Sequence, residues 1–289
     1  MQTIDNFVST LSKQIWEELN KKGLKGLGIS GSYARGDYSK SRPDVNFALF
    51  LEEETPEVTL TLGKVVSNLN TNFSSELNLC SDYHPERFIY PFGHDKTKPD
   101  IFFKIAIFSI KEKDLPMPFG RPGYVLEGHK LSIKMLYGEN YFKDMVVTSN
   151  NDQVLKGVLY TLPQWQKQSK LAPLAYNLEK DTDLFFNEAM IWGKIIIQQY
   201  AWIQGLKSGL DYSRSEDRAV VFSKIHNKEE LRAFIELPEN LKKKLNLILD
   251  ARLNFLQMRD DRAMAETLYL ATSDLAGYFI GEAKRIGQL

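Results

Sequence analysis

"GISGSYARGDYSKSRPDVNFALFL", residues 28–51, decides the fold. An apolar run ends in a Gly31-Ser32 pair, a polar loop follows, and a second apolar run opens on Asp44. Two buried strands joined through a tight glycine-serine turn fit this pattern. Glycine lets backbone N–H groups approach a ligand with no Cβ in the way. Such N–H groups, with the Ser32 hydroxyl, form a nest for phosphate oxygens, and Arg35 follows closely enough to neutralise phosphate charge. Asp44 and Asn46 are two apart on a strand and so share a face. Two oxygen-bearing side chains beside a phosphate nest are what a magnesium–nucleotide site needs.

Outward from this stretch, Ile4, Phe7, Val8, Leu11, Ile15, Trp16 and Leu19 recur at helical spacing, and Gly23 closes that helix. "TLGKVVSNLNTNF" predicts a helix after the second strand, and "ELNLCSDY" and "DIFFKIAIFSI" predict two further strands. The joining segment, "HPERFIYPFGHDKTKP", is a long loop rich in proline, glycine and aromatics, a length that usually serves function or motion. The order helix–strand–strand–helix–strand–strand predicts an α+β unit, a small mixed sheet with helices on one face. From "TSNNDQ" onward the pattern is helical, over Val154–Gln168, Leu184–Leu206, Leu241–Leu256 and Ala263–Ile286. Asp181 or Thr182 is placed to cap the second, and Pro238 with Glu239 to open the third. Consecutive amphipathic helices on short connections predict a helical bundle, so the expected division is residues 1–147 and 148–289.

The signature "GSYARGDYSKSRPDVNFALF" resembles that of the polymerase-beta-like nucleotidyltransferases. Those carry a Gly-Ser pair, often followed by Ala-Arg-Gly, then Ser-Asp-x-Asp some ten residues on. Gly31, Ser32, Ala34, Arg35 and Gly36 match, and Asp44 falls where the first catalytic aspartate belongs. "KMLYGENYF" is similar to the Leu-Tyr-Gly segment that closes this domain in small members. The resemblance covers about residues 4–145. The helical remainder is similar in kind to the second domain of antibiotic-modifying members. It implies a Mg²⁺-dependent (or Mn²⁺-dependent) transfer of a nucleoside monophosphate from a triphosphate, ATP first among them, to an acceptor hydroxyl. Gly31, Ser32 and Arg35 are then the phosphate residues, Asp44 and Asn46 the metal ligands, and an aminoglycoside-like small molecule the acceptor, held between sheet and bundle.

Two departures stand in the signature. Pro43 replaces a serine, and Asn46 replaces the second aspartate. An Asn oxygen still ligates magnesium but carries no charge, and partly buried charges a few Å apart interact at a level of several kcal/mol. The family's third acid is open between Asp100, at the mouth of its strand, and Glu76. Lys104 lies on Asp100's face, where an ammonium could stand in for a metal. The rival readings follow directly. One is a member that binds a nucleotide or partner without turnover. The other is a structural or antitoxin-like module whose helices bind a partner, with "FFNEAMIWGKIIIQQYAWI" suiting a core or a homodimer interface.

Composition narrows the field. The 289 residues carry 37 Lys+Arg against 37 Asp+Glu, so no basic excess favours nucleic acid. Cys80 is the only cysteine, which excludes an intramolecular disulfide and suits a reducing compartment. The first 22 residues lack an apolar core of the secretory kind, and the longest apolar stretch is broken by Gly193, Lys194 and two glutamines. A cytoplasmic protein with no membrane span is the expectation. His84, His94, His129 and His226 lack metal-ligand spacing and read as surface or loop residues, with His94–Asp95 the pair of interest. Trp165, Trp192 and Trp202 read as bundle core, and "NKEELRAFIELPENLKKK" as a solvated helix face.

Overall fold

A computed structural model of the chain describes residues 2–84, 87–115, 118–121, 123–143, 145–147 and 149–288. It divides into two compact units, Met1–Val147 and Thr148–Leu289. The first contains α1 (Gln2–Leu19), β1 (Leu24–Ser30), α2 (Gly31–Arg35), β2 (Asp44–Leu51), α3 (Pro56–Phe73), β3 (Asn78–His84), β4 (Arg87–Ile89), β5 (Asp100–Ser109), α4 (Gly123–Ser132) and β6 (Lys134–Gly138). The strands form one mixed sheet in the order β4-β3-β5-β2-β1-β6. β5 runs parallel to both β2 and β3, and β1 is antiparallel to β2 and β6.

Period-two alternation in β2 decides what the sheet faces. Val45, Phe47, Leu49 and Leu51 join Phe7, Leu11 and Ile15 of α1 and Leu62, Val65 and Leu69 of α3 in the larger core. The α1 and α3 helices thus cover one face, as the pattern predicts. α3 begins five residues before the predicted segment because Thr55 caps it, accepting from the Val58 N–H, with Pro56 in its first turn. The alternate β2 positions divide by chemistry along the strand. Ala48 and Phe50 enter a second cluster with Phe108, Phe119, Leu126 and Phe142, whereas Asp44 and Asn46 lie at the polar end of the same face. Leu126 belongs to α4, a ten-residue helix that the sequence pattern does not announce. The long segment before β5 is not wholly a loop, since β4 pairs with β3 within it.

The second unit is helical throughout: α5 (Asn151–Ala175), α6 (Thr182–Lys207), α7 (Ser215–His226), α8 (Lys228–Phe234), α9 (Glu239–Leu253), α10 (Phe255–Met258) and α11 (Arg262–Ile286). α6 is buried around most of its circumference, as a helix apolar on all sides requires, and packs against α5, α9 and α11. Tyr200 stacks on Phe279 of α11, with ring centroids 3.9 Å apart. Trp192 and Trp202 are buried; Trp165 is half-buried and packs on Trp192 at 5.2 Å. Asp181 stands at the start of α6 but makes no side-chain cap; its carboxylate accepts from the Asn177 N–H instead. Among the described residues no helix is long and apolar enough to cross a membrane.

Candidate functional site

The polar end of the sheet is assembled by register. The chain leaves β1 extended at Ser30 and swings at Gly31, whose φ of 76° is left-handed. Ser30 pairs with Asn46 across the antiparallel β1–β2 pair. A Cβ on Gly31 would lie 2.9 Å from Asn46 Nδ2, so the turn's backbone rests on the Asn46 amide. α2 then ends at Gly36, where Gly36 N–H donates to Tyr33 O and Asp37 N–H to Ser32 O. Tyr33 is tied back to α1 by donating to Asp5 Oδ1 at 2.6 Å, and burial, together with that bond, raises its phenol above the ordinary range.

On the other side of β2, parallel pairing sets Asp44 opposite Phe102 and Asn46 opposite Lys104. Arg42, in the loop before β2, is fully buried. Its guanidinium lies 3.8 Å from the centroid of the Phe102 ring, and its Nη1 is 3.9 Å from Asp44 Oδ2. Asp44 keeps 23% of its side chain exposed, enough for a ligand to reach it. No motif singles out Arg42, although a guanidinium two residues before a site carboxylate is a signal open to reading.

Of the anticipated residues, the structure brings together Gly31, Asn46, Asp44 and Lys104. Ser32 follows Gly31 in α2. Arg35 bonds to Asp37, 3.2 Å away. Asp100 opens β5 as expected and is buried, but its oxygens are engaged elsewhere. It accepts from Asn78 Nδ2 at 2.9 Å and from the Tyr90 hydroxyl at 3.0 Å, with His94 Nε2 at 3.2 Å. Asn78 also donates to Asp95 O and Lys98 O and accepts from Asp95 N–H, so this cluster fastens the segment leading into β5. His94, stacked on Tyr90 at 4.1 Å, belongs to that anchor. Hydrogen bonds from Thr97 hold the neighbouring Asp95 carboxyl down at about 2. Glu76 is exposed in the turn before β3, which begins only at Asn78.

His129 is half-buried rather than on the open surface. It packs between Phe108 and Phe142 on α4, and burial, then Arg121, then Lys104 hold its imidazole down to about 4. The side chain of His84 lies outside the described residues.

Among the described residues no three of His, Cys, Asp and Glu gather in a way that could hold a metal ion. Among the described residues Asp44 is the carboxylate two positions from Asn46 on the same strand, with Arg42 near Asp44 and Lys104 opposite Asn46. This donor set does not fit two divalent cations. It fits one that arrives on a triphosphate, with the Asp44 carboxylate and the Asn46 amide oxygen as the protein's donors.

No known family model matches the chain, and no curated protein matches it in sequence. Among solved structures it is similar to a spectinomycin adenyltransferase from Enterococcus faecialis, crystallised with ATP and spectinomycin. The likeness covers 87% of this chain and 98% of that one, at 15% identity and a TM-score of 0.42.

Proposed function

We propose that the first unit binds a nucleoside triphosphate, ATP foremost, at the polar end of its sheet and transfers the nucleoside monophosphate to an acceptor hydroxyl. The observation that carries this reading is the packing of the positive-φ Gly31 turn against Asn46, with Asp44 two residues away on the same face. In this reading the Gly31–Ser32 backbone holds phosphate oxygens and Arg35 adds charge from α2. The acceptor oxygen bonds to the α-phosphorus as the bond to the bridging oxygen breaks, and pyrophosphate leaves. The hydroxyl proton passes to Asp44, the available carboxylate. A divalent cation held by Asp44 and Asn46 would neutralise the triphosphate. Asp100 has no part in this scheme, because its oxygens are committed to Asn78 and Tyr90. The acceptor class is a small polyhydroxylated molecule of the aminoglycoside kind.

A second reading, binding without turnover, is favoured by one observation: Lys104, not an acid, faces Asn46. The deciding experiment supplies α-labelled triphosphates with Mg²⁺ or Mn²⁺ to the full chain and a panel of aminoglycosides, small RNAs and the protein itself. Label transfer that Asp44→Ala abolishes supports the enzyme. Binding without transfer, in wild type and in Asn46→Asp alike, supports the second reading.

A further inference from the structure

The stretch from Gly31 to Asp37 closes on itself. α2 ends at Gly36, whose φ of 82° is left-handed, and the Gly36 and Asp37 N–H groups turn back onto Tyr33 O and Ser32 O. In such a glycine-ended stop the residue after the glycine is folded over the last helical turn. Asp37 is that residue, and its carboxylate rests on Arg35, the last residue of α2. Arg35 Nε and Nη2 donate to Asp37 Oδ2 at 3.4 and 3.3 Å, and Nη2 lies 3.2 Å from Oδ1. The carboxylate thus occupies the forked Nε–Nη2 edge, with which a guanidinium takes two oxygens of a phosphate.

This pair is within reach of a ligand, since Arg35 keeps 22% of its side chain exposed and Asp37 42%. It is also separable from the fold. Backbone groups make the stop of α2, its start rests on the Asn46 amide, and Tyr33 fastens its middle to Asp5 of α1. None of these ties uses the Asp37 carboxylate. A phosphate that takes the Arg35 edge must first displace that carboxylate, so its apparent affinity falls by the fraction of molecules in which the edge is open.

We propose that Asp37 is an internal competitor for Arg35, an autoinhibitory carboxylate that a triphosphate displaces as it enters the site. The inference rests on the reading that Arg35 takes phosphate, and adds that the chain itself occupies that place beforehand.

The test is calorimetric titration of the full chain with ATP and with inorganic tripolyphosphate in Mg²⁺, for wild type, Asp37→Asn, Arg35→Met and the double variant. Asp37→Asn keeps the backbone donor and the size of the side chain and gives up the charge. It binds both ligands about threefold or more tightly than wild type, the factor expected on releasing a partly exposed ion pair. Arg35→Met weakens both, and adding Asp37→Asn to it restores little, because the carboxylate then contests nothing. Asp37→Asn affinity equal to wild type or weaker overturns the proposal. So does an equal gain in the Arg35→Met background, which would mean general repulsion between Asp37 and the ligand. A gain that depends on Arg35, with no nucleotidyl transfer, sustains the inference while the transfer reading falls. Transfer by a chain whose affinity Asp37→Asn leaves unchanged sinks this inference alone. Absence of binding in wild type and Asp37→Asn alike removes both.

Discussion

Asn46 and Lys104 stand directly opposite one another on the parallel pair β2–β5, and Ser30 flanks Asn46 from β1. Replacing the amide by a carboxylate therefore creates an acid whose neighbour is already a cation. Asn46→Asp alone is expected to leave Mn²⁺ affinity near the wild-type level, because the new charge pairs with Lys104. The thermal midpoint should rise slightly, as a cross-strand ion pair contributes roughly 0.2–1 kcal/mol. Mn²⁺ binding should strengthen markedly only in Asn46→Asp/Lys104→Gln. Electron paramagnetic resonance of the bound ion reads both variants, and strong Mn²⁺ binding by the single variant would refute the argument.

Gly31→Ala tests the turn. A Cβ there must adopt a left-handed φ, costing about 1–2 kcal/mol, and must also push the Asn46 amide aside from 2.9 Å. Reduced stability of the first unit and loss of nucleotide affinity should appear together in thermal denaturation and calorimetry. Unchanged affinity would mean that the turn does not form part of the binding surface.

Much of this site was legible in the sequence, for reasons specific to each residue. Asp44 and Asn46 were readable because strand alternation is strict, and Gly31 because a glycine between an apolar run and a polar loop has few other uses. α1, α3 and three of the four main helical segments followed from their apolar periods, whereas the one expected over Leu241–Leu256 breaks at Asn254 between α9 and α10. What stayed hidden depends on partners distant in the chain. Nothing local in "DIFFKIAIFSI" says that Lys104 will register with Asn46, or that Asp100 will be satisfied by Asn78 of the neighbouring strand. α4 was obscured by Gly123 at its start, Gly128 in its interior and weakly periodic composition, and with it went the packing of His129.

Asp100 is an anchor in this structure, and the prediction separates that role from catalysis. Asp100→Ala leaves the Tyr90 hydroxyl without its acceptor and removes one of the three contacts of Asn78 Nδ2, and an unsatisfied buried donor costs about 1–3 kcal/mol. The variant should be destabilised by about 1–3 kcal/mol, with faster amide exchange over residues 90–99. Asp100→Asn keeps an acceptor oxygen and should recover part of the loss. Full stability of the Ala variant with loss of nucleotidyl transfer would instead make Asp100 an acid of the site.

His129 gives the first unit a pH dependence. Its folded value of about 4 lies below the ordinary 6.5, so between those limits the unfolded chain binds a proton that the folded chain does not. Protons then favour unfolding, and stability falls as pH drops through this window, by on the order of 2 kcal/mol. Denaturant titrations at pH 7.5 and pH 4.5 should show this loss in wild type and a smaller one in His129→Gln. Equal slopes for the two proteins would remove His129 as the cause.

Gly193 tests the packing of the helical unit. It lies midway along α6, where a Cβ would come within 2.6 Å of Thr272 Oγ1 on α11 and 2.8 Å of Ile248 Cγ2 on α9. Alanine is the better helix former by about 1 kcal/mol, so an exposed position would gain from the change. Here overpacking, at typically 1–3 kcal/mol, opposes that gain and also threatens the Thr272 bond to Ala189 O. Three of the four tryptophans, Trp165, Trp192 and Trp202, belong to this unit, so urea unfolding followed by their fluorescence reports chiefly on it. Gly193→Ala should lower the midpoint of that transition, and adding Thr272→Ala should recover only part, because Ile248 still meets the new methyl. A stabilised Gly193→Ala would show that α6 can move away from its neighbours, and that the close contact of these three helices is not what holds the unit together.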